Sequence, residues 1–203
     1  MARPSTITDE QILDAAREVF FREGIQATTA EIAQVAGVSE GTIFRRFPTK
    51  HELFLAAMGL ESGPGWIATV ERLVASEERG DLRENLTLIA EEMLDFFNQL
   101  IPKMNMLMSC GKGAGPAAMF DSDVQPPPIL GLKALMKYLM AEQGAGRIEV
   151  SDPEILARMF MGSLHHYAFW EFCGLNRMLP MPRPTFVRCV VDTLVRSVTP
   201  ALS

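Results

Sequence analysis

The chain has 203 residues, 48% of them hydrophobic and 22% charged, which suits one large domain or a small one beside a larger and excludes wholesale disorder. No stretch of about 18 uncharged apolar residues occurs, so no membrane span is expected. A net charge of −6 excludes a protein that coats nucleic acid non-specifically.

The hydrophobic pattern is helical throughout, and most helix starts carry a cap. Met1 to Thr6 has no apolar block behind it and does not read as a secretory signal. Thr8-Asp9-Glu10-Gln11 is a capping box, with Ile7 and Ile12 placed as a hydrophobic staple. Ile12, Ala16, Val19 and Phe20 form one apolar face, and Gly24 supplies a left-handed stop. A second box, Thr28-Thr29-Ala30-Glu31, opens a helix that Gly37 ends. A third helix starts at the Ser39 cap and runs to about Phe47. A fourth starts at Thr49-Lys50-His51-Glu52, after Pro48, and reaches toward Leu60.

Ser62-Gly63-Pro64-Gly65 is a break. Beyond it the spacing predicts a helix near 65–77 and a long one from the Asp81 cap through Ile101. The Gly- and Pro-rich segment 111–128 reads as a loop. Helices follow near 129–143, 153–173 (Asp152 cap, Pro153 in the first turn) and 184–198.

Residues 28–47 carry the clearest chemistry. Two short helices joined by a glycine turn must cross closely; Ala33 is small enough for the crossing, and Gly37 permits the positive φ of the turn. Val38, Ile43 and Phe47 are the inward anchors of the second helix, which leaves Gly41, Thr42, Phe44, Arg45 and Arg46 outward. Gly41 is costly within a helix, unless a side chain there would block a phosphate or base. Residues 1–60 hold six cations and eight anions, so DNA contact would have to be local, and three of the cations fall within 45–50.

The ordered segments Ala27-Thr28-Thr29-Ala30-Glu31-Ile32-Ala33, Ala36-Gly37-Val38-Ser39 and Gly41 to Lys50 resemble the TetR family of bacterial transcriptional regulators. The resemblance covers about the first quarter of the chain; the rest matches in length and helical character. It implies an all-α fold: a three-helix DNA-binding domain at 1–50, joined by the fourth helix to a helical ligand-binding and dimerisation domain at 51–203. It further implies that Thr28, Thr29 and Lys50 bind phosphate, that Ser39 and Gly41 allow close approach, and that Thr42, Arg45 and Arg46 face the major groove. Phe44 stands where the family most often has Tyr, so a phosphate hydrogen bond is lost there. Arg45 and Arg46 replace a common aromatic–His pair and favour guanine in each half-site.

The resemblance implies a homodimer through 153–173 and 184–198, and hence a near-palindromic operator. It also implies a small-molecule pocket among the middle helices, for which Trp66, Phe97, Met108, His166 and Trp170 are the candidate lining. The expected function is a repressor that a small, largely apolar ligand releases from double-stranded DNA. His165 and His166 lie about 100° apart on a helix, so at most one faces a given pocket.

No metal site or cofactor is expected: Cys110, Cys173 and Cys189 lie at no metal-ligand spacing, and their small, odd number suits a reducing cytoplasm. No nucleophile elbow, phosphate loop, zinc signature or dinucleotide fingerprint occurs, so an enzyme is not expected. The competing readings are a helical enzyme, or an adaptor that uses the helix-turn-helix only for packing. In either, Thr28, Thr29 and Thr49 would be ordinary caps, Phe44 core, and Arg45, Arg46 and Lys50 a solvated face.

Overall fold

A computed structural model describes residues 7–59, 64–110 and 127–198. Among these residues there are nine α-helices and no strand. They fall into two compact units, residues 7–59 with 103–110 and residues 64–102 with 127–198.

The first unit holds α1 (Asp9–Glu23), α2 (Thr29–Ala36), α3 (Glu40–Phe44) and α4 (Lys50–Ala57). At the head of α1 both halves of the capping box form: Thr8 Oγ1 accepts from Gln11 N–H at 3.3 Å, and the Gln11 side chain accepts from Thr8 N–H at 2.9 Å. Ile12, Ala15, Ala16, Val19 and Phe20 are buried along one face. Phe20 meets Phe54 of α4 edge-on, with centroids 5.3 Å apart and planes at 86°. Such a pair adds about 0.5–1.5 kcal/mol to its burial. Thus α4 packs with the first unit, although a division after residue 50 would assign it to the second.

Helix α3 is shorter than its apolar spacing suggests. It stops at Phe44, and residues 45–49 form turns. Pro48 disfavours helical backbone at the residue before it, and Thr49 restarts the chain as the cap of α4 by accepting from Glu52 N–H at 3.0 Å. Leu60, the expected end of α4, lies outside the described residues.

The second unit holds α5 (Gly65–Ala75), most of α6 (Leu82–Cys110), α7 (Pro127–Gly144), α8 (Pro153–Phe172) and α9 (Arg183–Val198). Its core includes Trp66, Leu86, Met93, Leu94, Tyr138, Phe160, Leu164 and Val191. The caps expected at Asp81 and Asp152 are made: Asp81 accepts from Glu84 N–H at 3.0 Å, and Asp152 from Glu154 and Ile155 N–H at 2.8 and 3.1 Å. The expected loop lies outside the described residues up to 126; Pro127 and Pro128 already belong to α7.

One glycine in this unit has a packing reason. A Cβ on Gly131 of α7 would lie 2.7 and 2.9 Å from the Trp66 ring, so α5 and α7 approach through the missing side chain. Helix α8 buries Ala157, Phe160, Leu164, Tyr167 and Ala168, yet leaves Ile155, Met159, Phe169 and Phe172 exposed. It has a second apolar face that the unit itself does not cover. No helix among the described residues is long and apolar enough to cross a membrane.

Candidate nucleic-acid interface

Gly37 ends α2 in the left-handed region, with φ +69° and ψ +31°, and its N–H bonds back to the carbonyls of Ala33 and Gln34. Val38 N–H then reaches the Ala33 carbonyl at 3.0 Å. This turn carries the chain directly into the Ser39 cap of α3, whose hydroxyl accepts from Thr42 N–H at 3.2 Å. Ile32, Ala33 and Ile43 are buried beneath the crossing, and Val38 and Phe47 are half-buried at its edge.

The outward side of α3 carries Gly41 and Phe44, both exposed, with Thr42 half-buried; Arg45, just past its end, is exposed as well. The Thr42 hydroxyl pairs with Ser39 Oγ at 3.0 Å. A Cβ on Gly41 would meet only Ser39 Oγ, at an ordinary 3.8 Å. Nothing among the described residues therefore requires glycine at this position.

Sequence alone treats Arg45 and Arg46 alike, but the fold separates them. Arg45 donates its backbone N–H to the Gly41 carbonyl at 3.3 Å, but its exposed side chain makes no hydrogen bond or ion pair with any described residue. Arg46 turns back to α1, donating to Asp9 Oδ1 and to the Ile7 carbonyl, each at 2.8 Å.

The threonines of α2 are also occupied. Thr28 Oγ1 accepts from Glu31 N–H at 3.2 Å and donates to Glu31 Oε2 at 2.7 Å, while Thr28 N–H donates to the same oxygen at 2.9 Å. These hydrogen bonds from Thr28 lead the effects that hold the Glu31 carboxyl below the usual carboxylate range. Thr29 Oγ1 donates to Glu40 Oε2 on α3 at 2.7 Å. With both hydroxyls engaged, the orphan backbone amides of the first turn are the donors left facing out. Lys50, in the first turn of α4, is half-buried; burial lowers its pKa, and the charge of Glu31 opposes that shift.

Of the five residues expected to line a ligand pocket, the four whose side chains are described fall in two settings in the second unit. Trp66 and Phe97 lie in its core, 2% and 7% exposed. His166 is exposed and stacks obliquely on half-buried Trp170 of its own helix, with centroids 5.1 Å apart. The side chain of Met108 lies outside the described residues. His165, not His166, meets Phe97, edge-on at 5.3 Å.

The buried side-chain atoms of the second unit that lack hydrogen bonds among the described residues include Trp66 Nε1 and Glu92 Oε2. The other Glu92 oxygen accepts from the Thr69 hydroxyl at 3.1 Å. Glu92 is missed by apolar periodicity, although a carboxylate between Ala90 and Met93 is a readable interruption. Glu40 is missed too, because its position reads first as helix-dipole complement. Among the described residues no group of His, Cys, Asp and Glu could hold a metal ion.

A short helix pair joined by a left-handed glycine, open at Gly41 and followed by an exposed arginine whose side chain has no described partner, is a helix-turn-helix of the kind DNA-binding regulators carry. Residues 12–57 match the model described as bacterial regulatory proteins of the tetR family, and residues 84–198, more than half of the chain, match that of the AefR-like transcriptional repressor C-terminal domain. The chain belongs to the TetR family of bacterial transcriptional regulators. The second match falls where the sequence offers no motif beyond helical character.

Similar proteins include the uncharacterised regulator YvkB of Bacillus subtilis, 26% identical over 95% of this chain and 97% of YvkB. Among solved structures, the flavonoid-responsive regulator FrrA is 20% identical over 96% of this chain and 98% of its own, with a TM-score of 0.65. FadR of Bacillus subtilis, solved in complex with stearoyl-CoA, is 18% identical over 97% of this chain and 100% of its own, with a TM-score of 0.57.

Proposed function

We propose that the chain is a homodimeric repressor that occupies a near-palindromic operator and is released by a small, largely apolar ligand. The second apolar face of α8 carries the dimer reading: Ile155, Met159, Phe169 and Phe172 are exposed together on a helix whose other face is core. A two-fold dimer through α8 and α9 sets two α3 helices against successive turns of DNA. The reading head is residues 1–50; residues 51–203 bind ligand and dimerise, and α4 connects the two functions. No catalytic role is assigned, and the site of action is the cytoplasm.

On DNA, the backbone amide of Thr29 and the ammonium of Lys50 hold phosphate at the helix start that Thr28, its own N–H taken by Glu31, caps. Ser39 and Gly41 let α3 approach, Thr42 and Phe44 touch sugar or base, and Arg45 reads guanine, with Arg46 beside it at the groove edge. That no described neighbour demands glycine at position 41 supports an external partner there.

FrrA's flavonoid response and the stearoyl-CoA held by FadR support an apolar ligand. Trp66 and Phe97 are the lining residues favoured by burial, and Trp66 Nε1 and Glu92 Oε2 offer a donor and an acceptor to a ligand's polar end. Release requires the ligand to prefer a conformer with the wrong spacing of the two α3 helices. Within the first unit, Lys103 Nζ donates to the Met58 carbonyl at the end of α4 at 2.5 Å, which supports α4 as the element that feels the change.

Electrophoretic retardation of duplex DNA from upstream of its own coding region tests the reading. A discrete complex that survives excess unrelated DNA is expected. Titrating that complex with flavonoids and long-chain acyl thioesters should release it for at least one compound. Binding without sequence preference defeats the operator, and binding that no compound alters defeats the ligand-released mechanism.

A further inference from the structure

Glu40 is an anomaly on this surface. It is exposed, it opens the outward helix α3, and it forms no ion pair among the described residues. Beside DNA phosphates a carboxylate is repelled, and residues 1–60 already carry more anions than cations. A carboxylate kept only to complement the helix dipole would be free to turn to water. This one is instead held across the helix pair, accepting from Thr29 Oγ1 at 2.7 Å. That bond uses a hydroxyl which would otherwise serve a phosphate.

The bond engages Oε2 and leaves Oε1, on an exposed side chain, without a hydrogen bond to any described residue. Base edges in the major groove differ in what they offer such an acceptor. Guanine presents N7 and O6, thymine O4 and a methyl group, and all of these oppose a carboxylate. Adenine presents its N6 amine beside the N7 acceptor, which repels the carboxylate. Cytosine presents the N4 amine alone.

We propose that Glu40 is a specificity-determining residue that selects cytosine by accepting a hydrogen bond from its N4 amine, and that Thr29 holds it in position. Each half-site then contains a cytosine that Glu40 reads, besides any guanine read by Arg45. The hydroxyl of Thr29 is a positioning group, and only its backbone amide is left for phosphate.

The proposal rests on operator binding, and selection of bound sequences from a randomised duplex pool tests the two separately. Full-length wild type should enrich sites with one cytosine per half-site that is preferred over the other bases by about 5- to 150-fold. Glu40→Ala should leave that position degenerate. Glu40→Gln should convert it to adenine, because an amide can pair with N6 and N7 together. Thr29→Val should lower the cytosine preference several-fold while its thermal unfolding and the rest of the consensus stay as in wild type. An unchanged consensus in both Glu40 variants overturns the proposal and leaves operator binding intact. So does equal tightening of every sequence, the mark of a merely repulsive charge. A wild type that enriches no site overturns both.

Discussion

Arg46 of the turn after α3 and Asp9 of α1 form an ion pair of 2.8 Å, and the same guanidinium donates to the Ile7 carbonyl. The arginine next to the recognition helix thus clasps the start of the first helix. Its neighbour Arg45 has no such engagement.

The two arginines should therefore fail differently. Arg45→Ala should relax base preference at one position and leave the urea midpoint within about 0.5 kcal/mol of wild type. Arg46→Ala should cost about 1–3 kcal/mol, since it loses a charge-assisted bond to a carbonyl and an ion pair that is worth less because Asp9 is exposed. Denaturation and site selection on both variants check this; equal stability with equal loss of base preference would restore the symmetric reading.

Lys50→Ala should weaken every DNA sequence alike and lower the slope of log affinity against log salt by about one. Its half-buried stem makes a small stability loss expected as well, so the salt slope is the deciding measurement. A changed base preference would mean that Lys50 touches a base.

Gly131→Ala should destabilise the second unit. On an open helix the change would gain about 1 kcal/mol of helix propensity. Here the new methyl meets the ring of Trp66, itself 2% exposed, at 2.7 Å, and overpacking costs about 1–3 kcal/mol. Pairing it with Trp66→Phe should recover part of the loss. A double-mutant cycle in urea that shows no coupling would contradict the close approach.

Stability should fall on acidification through the histidine range. Burial lowers the pKa of His51, which is 5% exposed, so the unfolded chain takes up its proton first. The loss begins as pH drops below the ordinary value near 6.5 and levels off below the folded-state pKa. His51→Gln should flatten the slope in that window. Part will remain, because His165 is shifted the same way, first by burial and then by the charge of His166.

Met159→Glu with Phe172→Glu should turn a sedimenting dimer into a monomer of unchanged helical content and abolish operator binding. Both side chains are exposed, 65% and 46%, so the monomer's core is not at stake. A dimer that persists would move the interface elsewhere.

The helix starts were legible because capping is local chemistry. Thr8, Thr28, Ser39, Thr49, Asp81 and Asp152 each bond amides two or three residues onward, and sequence spacing carries that information. The partner of Arg46 was not legible, because Asp9 lies 37 positions away and nothing in either neighbourhood announces the other. The same holds for Thr29 and Glu40, which meet only because the Gly37 turn folds α3 back across α2. Among the aromatics, Trp66, Phe97, His166 and Trp170 read alike as large and apolar. Where His166 and Trp170 fall depends on how α8 is rotated, and an apolar pattern on two faces of that helix leaves it open.

Of the six cations in residues 1–60, Arg17, Arg22 and Arg46 are held in ion pairs within the chain. Few counterions are then displaced when this head settles on a duplex, so the long-range pull toward random sequence is weak. The protein should spend little of its search sliding on unrelated chromosome. Its occupancy of the correct site should also ride through swings of ionic strength that would strip a more basic competitor.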